Sequence, residues 1–166
     1  MTLPHVSALL LFLFFAFISA ASLGMALIAE YVFGLEPCVL CIYQRWPYAI
    51  VIVLGLIGFF IAQKKAQAGL FGLIGLTMIT NSAIAFYHSG VELKWWPSHL
   101  EGCNSGLSGS AEDILAQIEA RTEAARCDEI PWADPILGLS MANYNVVFCL
   151  GLGVLAFWCA YRSYKK

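Results

Sequence analysis

Four long stretches of the chain carry no charged residue: approximately 4–29, 46–62, 68–87 and 136–161. A bilayer core of about 30 Å needs roughly 20 apolar residues of helix, and each stretch approaches or exceeds that length. Leu-rich runs, rather than ten-residue alternation, disfavour a transmembrane barrel. Composition agrees, because only 12% of residues are charged against about 25% in soluble domains, and the mean hydropathy is +0.76. The expected fold is an all-α membrane protein, a four-helix transmembrane bundle forming one integral-membrane domain over residues 1–166. A net charge of −2 leaves no footprint for nucleic acid.

Three unequal connections separate the stretches: 30–45, the short 63–67, and a long polar segment over 88–135. Lys and Arg in short loops stay on the cytoplasmic side. Lys64 and Lys65 in the turn, with Arg162, Lys165 and Lys166 in the tail, have no acidic neighbours on their face. Opposite them stand Arg45, Lys94, Arg121 and Arg126 and every acidic residue. Both termini are therefore expected in the cytoplasm, with 30–45 and 88–135 as two outward-facing, cysteine-bearing loops. Ser19-Ala20-Ala21 resembles a signal-cleavage site, but no Lys or Arg precedes the run, so the first stretch is read as a span. Ser110-Ala111-Glu112-Asp113 reads as a cap opening a short amphipathic helix, on the bilayer surface or packed on its own loop. Gly69, Gly72 and Gly75, and Gly153, Ala156 and Ala160, offer small-residue faces for helix packing.

The cysteines divide by position. Cys149 and Cys159 fall inside the fourth span, where a thiol acts as a small hydrophobe, and both are read as structural filler. Cys38, Cys41, Cys103 and Cys127 lie on the outer face, two per loop, which in an oxidising compartment suggests two disulfides. Cys38-Val39-Leu40-Cys41 has the Cys-x-x-Cys spacing of redox proteins. Haem attachment would need His where Ile42 stands. A four-cysteine zinc site would repeat the close pair, so no metal is expected. A purely structural bridge gains most from a long loop, and this one closes almost none.

Arg45 follows Cys41 by one helical turn, where a guanidinium would favour a thiolate or polarise a ligand carbonyl. Pro47 opposes a continuous helix there, leaving a restart at Pro47, or a snorkelling role for Arg45, as alternatives. His88 closes the third span, either solvated at the interface or donating to a ligand carbonyl. Trp95 and Trp96 read as interfacial belt anchors.

Four spans, the run Cys38-Val39-Leu40-Cys41-Ile42-Tyr43-Gln44-Arg45, a second cysteine pair before the last span, and Gly138-Leu139-Ser140-Met141-Ala142 resemble the disulfide-bond formation protein B (DsbB) family over nearly the whole chain. The resemblance implies an enzyme of the bacterial inner membrane, with its catalytic loops in the periplasm. Such an enzyme reoxidises a DsbA-like thioredoxin-fold partner and passes the electrons to a quinone, ubiquinone or menaquinone, from the membrane pool. It further implies that the partner attacks Cys103, releasing Cys127, and that Cys127 attacks Cys38, freeing Cys41 to meet the quinone beside Arg45. Cys103 lies in a Gly- and Ser-rich stretch, so it is expected to be mobile and exposed. The rivals are a quinone-linked thiol oxidase with a different dedicated partner, a non-catalytic tetraspan scaffold pinned by two bridges, and an outward metal-binding module.

Overall fold

The computed structural model describes residues 5–100, 103, 112 and 126–165. Four long helices lie among the described residues, α1 (His5–Tyr31), α2 (Val39–Phe59), α3 (Lys64–Glu92) and α4 (Met141–Tyr164), each long and apolar enough to cross a membrane. Among the described residues there is no strand, only an isolated antiparallel bridge between Ala133 and Ser140. The expected helix from Ser110 lies outside the described residues, apart from Glu112.

Helix boundaries differ from the hydropathy reading wherever polar residues join a helix. α2 begins at Val39 rather than Trp46 and runs through Pro47 without restarting. Losing one backbone N–H is tolerated because Pro47 is buried alongside Gln44, Tyr48 and Val51, so packing of this face outweighs the local penalty. The first outer connection therefore shrinks to residues 32–38, and Cys41 and Arg45 share one continuous helix. α3 extends beyond 68–87 at both ends and takes in His88 and Glu92.

Each outer helix end is closed by a specific device. The turn after α1 closes at Gly34, whose φ of +66° lets its N–H reach Glu30 O while Leu35 N–H reaches Ala29 O. α3 ends in a Schellman motif: Lys94 takes φ +58° and donates to Val91 O, and Trp95 N–H donates to Gly90 O at 2.8 Å. α4 opens with a reciprocal capping box between Ser140 and Asn143.

α3 and α4 form the most extensive contact, α1 packs on α2, and α2 also meets α3. The central core gathers Phe12, Phe15, Val51, Phe71, Ile74, Met78 and Leu152, with Phe12 and Phe71 stacked at 3.9 Å between centroids. Leu10, Phe17, Val53, Leu76, Val147 and Val154 point outward, the apolar exterior that lipid solvates. Close approach uses glycines only in part as expected. Gly75 and Gly153 do sit at the α3–α4 seam, but Gly69 and Gly72 face open space. The tightest backbone approach is instead at Gly55, where a Cβ would lie 2.8 Å from Phe12 O.

Candidate redox site

Cys38 is the N-cap of α2, its sulfur accepting the Cys41 N–H at 3.2 Å. The Cys-x-x-Cys spacing thus becomes the first turn of a helix, which brings the two Sγ atoms to 2.7 Å without a bond between them. Cys103 and Cys127 are joined as a disulfide with Cα atoms 4.9 Å apart. Where the sequence suggested two disulfides, the described residues hold one disulfide and one dithiol. Cys38 is buried and Cys41 is half-buried, so the two sulfurs differ in what can reach them.

The disulfide is not exposed. Cys103 is 2% and Cys127 0% accessible, and both pack with Cys38, Leu40 and Val91 in a second apolar cluster flanked by Tyr87, Trp96 and Leu100. This corrects the expectation of a free and exposed Cys103: the polar composition around a cysteine does not describe the apolar disulfide itself, which loses contact with water by docking on Leu40 and Val91. Trp96 also does more than anchor at an interface. It stacks on Tyr87 and donates from Nε1 to Tyr87 O at 3.1 Å, covering Gly90 so closely that a Cβ there would fall 2.0 Å from its ring. Beside Cys127, Arg126 grips Asp128 with a two-point fork at 3.0 and 2.9 Å, which holds the Asp128 carboxyl below its ordinary range.

His88 is buried, not solvated. Its Nε2 lies 3.5 Å from Cys38 Sγ and 3.7 Å from Glu92 Oε1, its Nδ1 faces Gln44 Nε2 at 2.9 Å, and the ring also meets the Cys127 backbone. Glu92, buried as well, accepts from the Ser140 hydroxyl and so ties α3 to the cap of α4. Arg45 lies one turn beyond Cys41 and pairs with Glu30 at the end of α1, N to O 2.5 Å. The Cys38 thiol is pushed above its ordinary range, first by its hydrogen bond with Cys41 and then by burial, so in the reduced pair the proton stays on Cys38.

Cys38, Cys41 and His88 present ligand atoms within 4.8 Å of one another, a soft set that would suit zinc. Among the described residues the set offers three ligand atoms, where a structural zinc site takes four.

Reading by hydropathy missed Glu30, Gln44, Glu92 and Asn145. Their signal was available, since polar and ionisable side chains within or at the ends of spans mark functional sites by default. Cys149 carries a feature that hydropathy missed for the same reason. It is fully buried, but its sulfur contacts Tyr48 Oη at 3.2 Å, Asn81 Nδ2 at 3.4 Å and Asn145 Oδ1 at 3.2 Å. It therefore joins a polar network while packing, like the fully buried Cys159, in the central apolar core.

Four spanning helices that hold a buried dithiol against a disulfide define a membrane protein of thiol–disulfide chemistry. The family model for disulfide bond formation protein DsbB matches residues 8–159, and the chain belongs to that family. The chain is 33% identical to the disulfide bond formation protein B of Albidiferax ferrireducens, covering 85% of this chain and 82% of that one. It is 29% identical to the protein of the same name from Azoarcus sp., covering 84% of each. An uncharacterized protein of Rickettsia prowazekii is 33% identical over 85% of this chain and 83% of its own. No solved structure matches.

Proposed function

We propose that this protein reoxidises a soluble thioredoxin-fold dithiol oxidase and passes the electrons to a membrane quinone, with its cysteine-bearing end in the periplasm and both termini in the cytoplasm. The observation that carries this reading is the packing of the Cys103–Cys127 disulfide and the Cys38–Cys41 dithiol in one cluster, because exchange requires the attacking sulfur to reach the disulfide. Once the buried disulfide leaves its seat on Leu40 and Val91, the partner's thiolate attacks Cys103 and Cys127 departs. Cys127 attacks Cys38 of the oxidised inner pair and frees Cys41 as the thiolate. The partner's second thiolate then closes its own disulfide and releases Cys103, which attacks Cys127 and expels Cys38. Two electrons have moved from the partner to the inner pair, leaving the Cys103–Cys127 disulfide and a reduced Cys38–Cys41 pair.

The inner pair's surroundings suit a lipid-soluble acceptor. Cys41 is the more accessible sulfur, exposed Ile42 and Trp46 follow it on α2, and the Arg45 guanidinium sits one turn away. A quinone supplies the two-electron sink. Arg45 would stabilise negative charge both on the Cys41 sulfur and on an acceptor oxygen.

The test mixes purified protein, a reduced thioredoxin-fold oxidase and quinone, and follows quinone absorbance. Turnover that is lost in both Cys41→Ser and Cys103→Ser is expected. Partner oxidation that proceeds equally well without quinone would overturn the reading.

A further inference from the structure

Behind Cys38 the hydrogen bonds continue past His88 into the bundle, and each link has a fixed direction. A backbone carbonyl only accepts, so the Gln44 atom 3.2 Å from Leu40 O is the amide nitrogen. The same nitrogen meets His88 Nδ1 at 2.9 Å. Nδ1 must therefore offer its lone pair, and the ring's hydrogen resides on Nε2, near Cys38 Sγ and Glu92 Oε1, with the Cys127 backbone as a further acceptor for the ring. With its orientation set, Gln44 presents Oε1 to Asn145, whose Nδ2 donates at 2.6 Å. Asn145 Oδ1 accepts in turn from the Tyr48 hydroxyl and the Cys149 thiol. Gln44 is buried, so without Asn145 its amide oxygen would have no partner here, a cost relieved if the Gln44 side chain leaves this seat, and its hold on His88 Nδ1 goes with it.

We propose that Asn145 is a positioning residue: through Gln44 it holds His88 in the tautomer whose Nε2–H points at Cys38, and this hydrogen assists Cys38 as a leaving sulfur. The proposal rests on the function proposed above and concerns its last exchange. In that step the Cys103 thiolate attacks Cys127, the Cys103–Cys127 bond forms and the Cys127–Cys38 bond breaks. The electron pair of the broken bond remains on Cys38, so one thiolate replaces another and no proton moves. A donor aimed at the sulfur that receives the charge makes it a better leaving group. The wrong tautomer would present a lone pair there instead.

The experiment is nitrogen-15 NMR of histidine-labelled protein in detergent, paired with a quenched single turnover that follows collapse of the Cys38–Cys127 bridge. In the unmodified protein the His88 resonances should be those of the Nε2–H tautomer. Asn145→Leu should mix the tautomers and slow the collapse about tenfold, the worth of roughly one hydrogen bond, while the apparent KM for quinone stays unchanged. Should that variant fail to fold, Asn145→Asp, read above the pH at which its carboxyl ionises, keeps the shape and removes the donor. An Nδ1–H ring in the unmodified protein, or an unchanged ring and collapse rate in the variant, would overturn the proposal. Absence of any partner oxidation by the unmodified protein would count against the function instead, because the tautomer is read without turnover.

Discussion

Three influences meet at the Cys38 sulfur: it caps α2, touches Cys41, and receives the His88 ring. Because its thiol is pushed above the ordinary value of 9.0, Cys38 remains protonated at pH values where an unperturbed cysteine is half ionised. Only thiolates attack alkylating agents efficiently. Iodoacetamide applied near pH 8 to protein with a reduced inner pair should therefore modify Cys41 well before Cys38, as read by peptide mass spectrometry; first modification at Cys38 would contradict this order. Arg45 belongs to the same scale. Removing one preorganised charge donor costs about 2.7–4 kcal/mol in oxyanion-type sites, roughly a hundredfold or more in rate. Arg45→Met should show that loss at limiting quinone, with Arg45→Lys intermediate and exchange with the protein partner near normal. Wild-type rates for Arg45→Met at every quinone concentration would reduce Arg45 to an anchor paired with Glu30.

Between helices, glycine substitutions should separate packing from propensity. A Cβ at Gly55 meets Phe12 O and Ala16 on α1, and backbone cannot move aside as a flexible side-chain tip can. Gly55→Ala should cost about 1–3 kcal/mol, whereas Gly72→Ala, in open space, should gain up to about 1 kcal/mol from reduced chain entropy. Denaturation of the two variants in mixed detergent would reveal the opposite signs, and equal shifts would show that Gly55 is not a contact. Gly90→Ala should also destabilise, but at the outer end, by displacing Trp96 from its seat over Tyr87.

Across the whole molecule, alternating helices place Cys38, Cys41, Cys103 and Cys127 at one end and Lys64, Lys65, Arg162 and Lys165 toward the other. The proposed orientation rests on the positive-inside rule, which would set the lysine-bearing end in the cytoplasm. A membrane-impermeant maleimide on intact spheroplasts, after reduction, should label a cysteine of the redox end and spare one introduced near Lys64. Labelling near Lys64 would reverse the orientation.

The four spans and the Cys-x-x-Cys were legible in the sequence because lipid imposes a length of apolar helix and the motif is local, needing only one helical turn. Arg45 was legible for the same reason, being four residues from Cys41. Only the tertiary structure brought His88 of α3 to Cys38, Gln44 of α2 to Asn145 of α4, and the Cys103–Cys127 disulfide to Leu40 and Val91. These contacts join residues far apart in the chain, and no periodicity encodes which polar side chain of one helix faces another. The buried disulfide and the polar network around Cys149 were hidden for that reason. Hydropathy records what a residue is, while burial and hydrogen bonding depend on what the other helices place beside it.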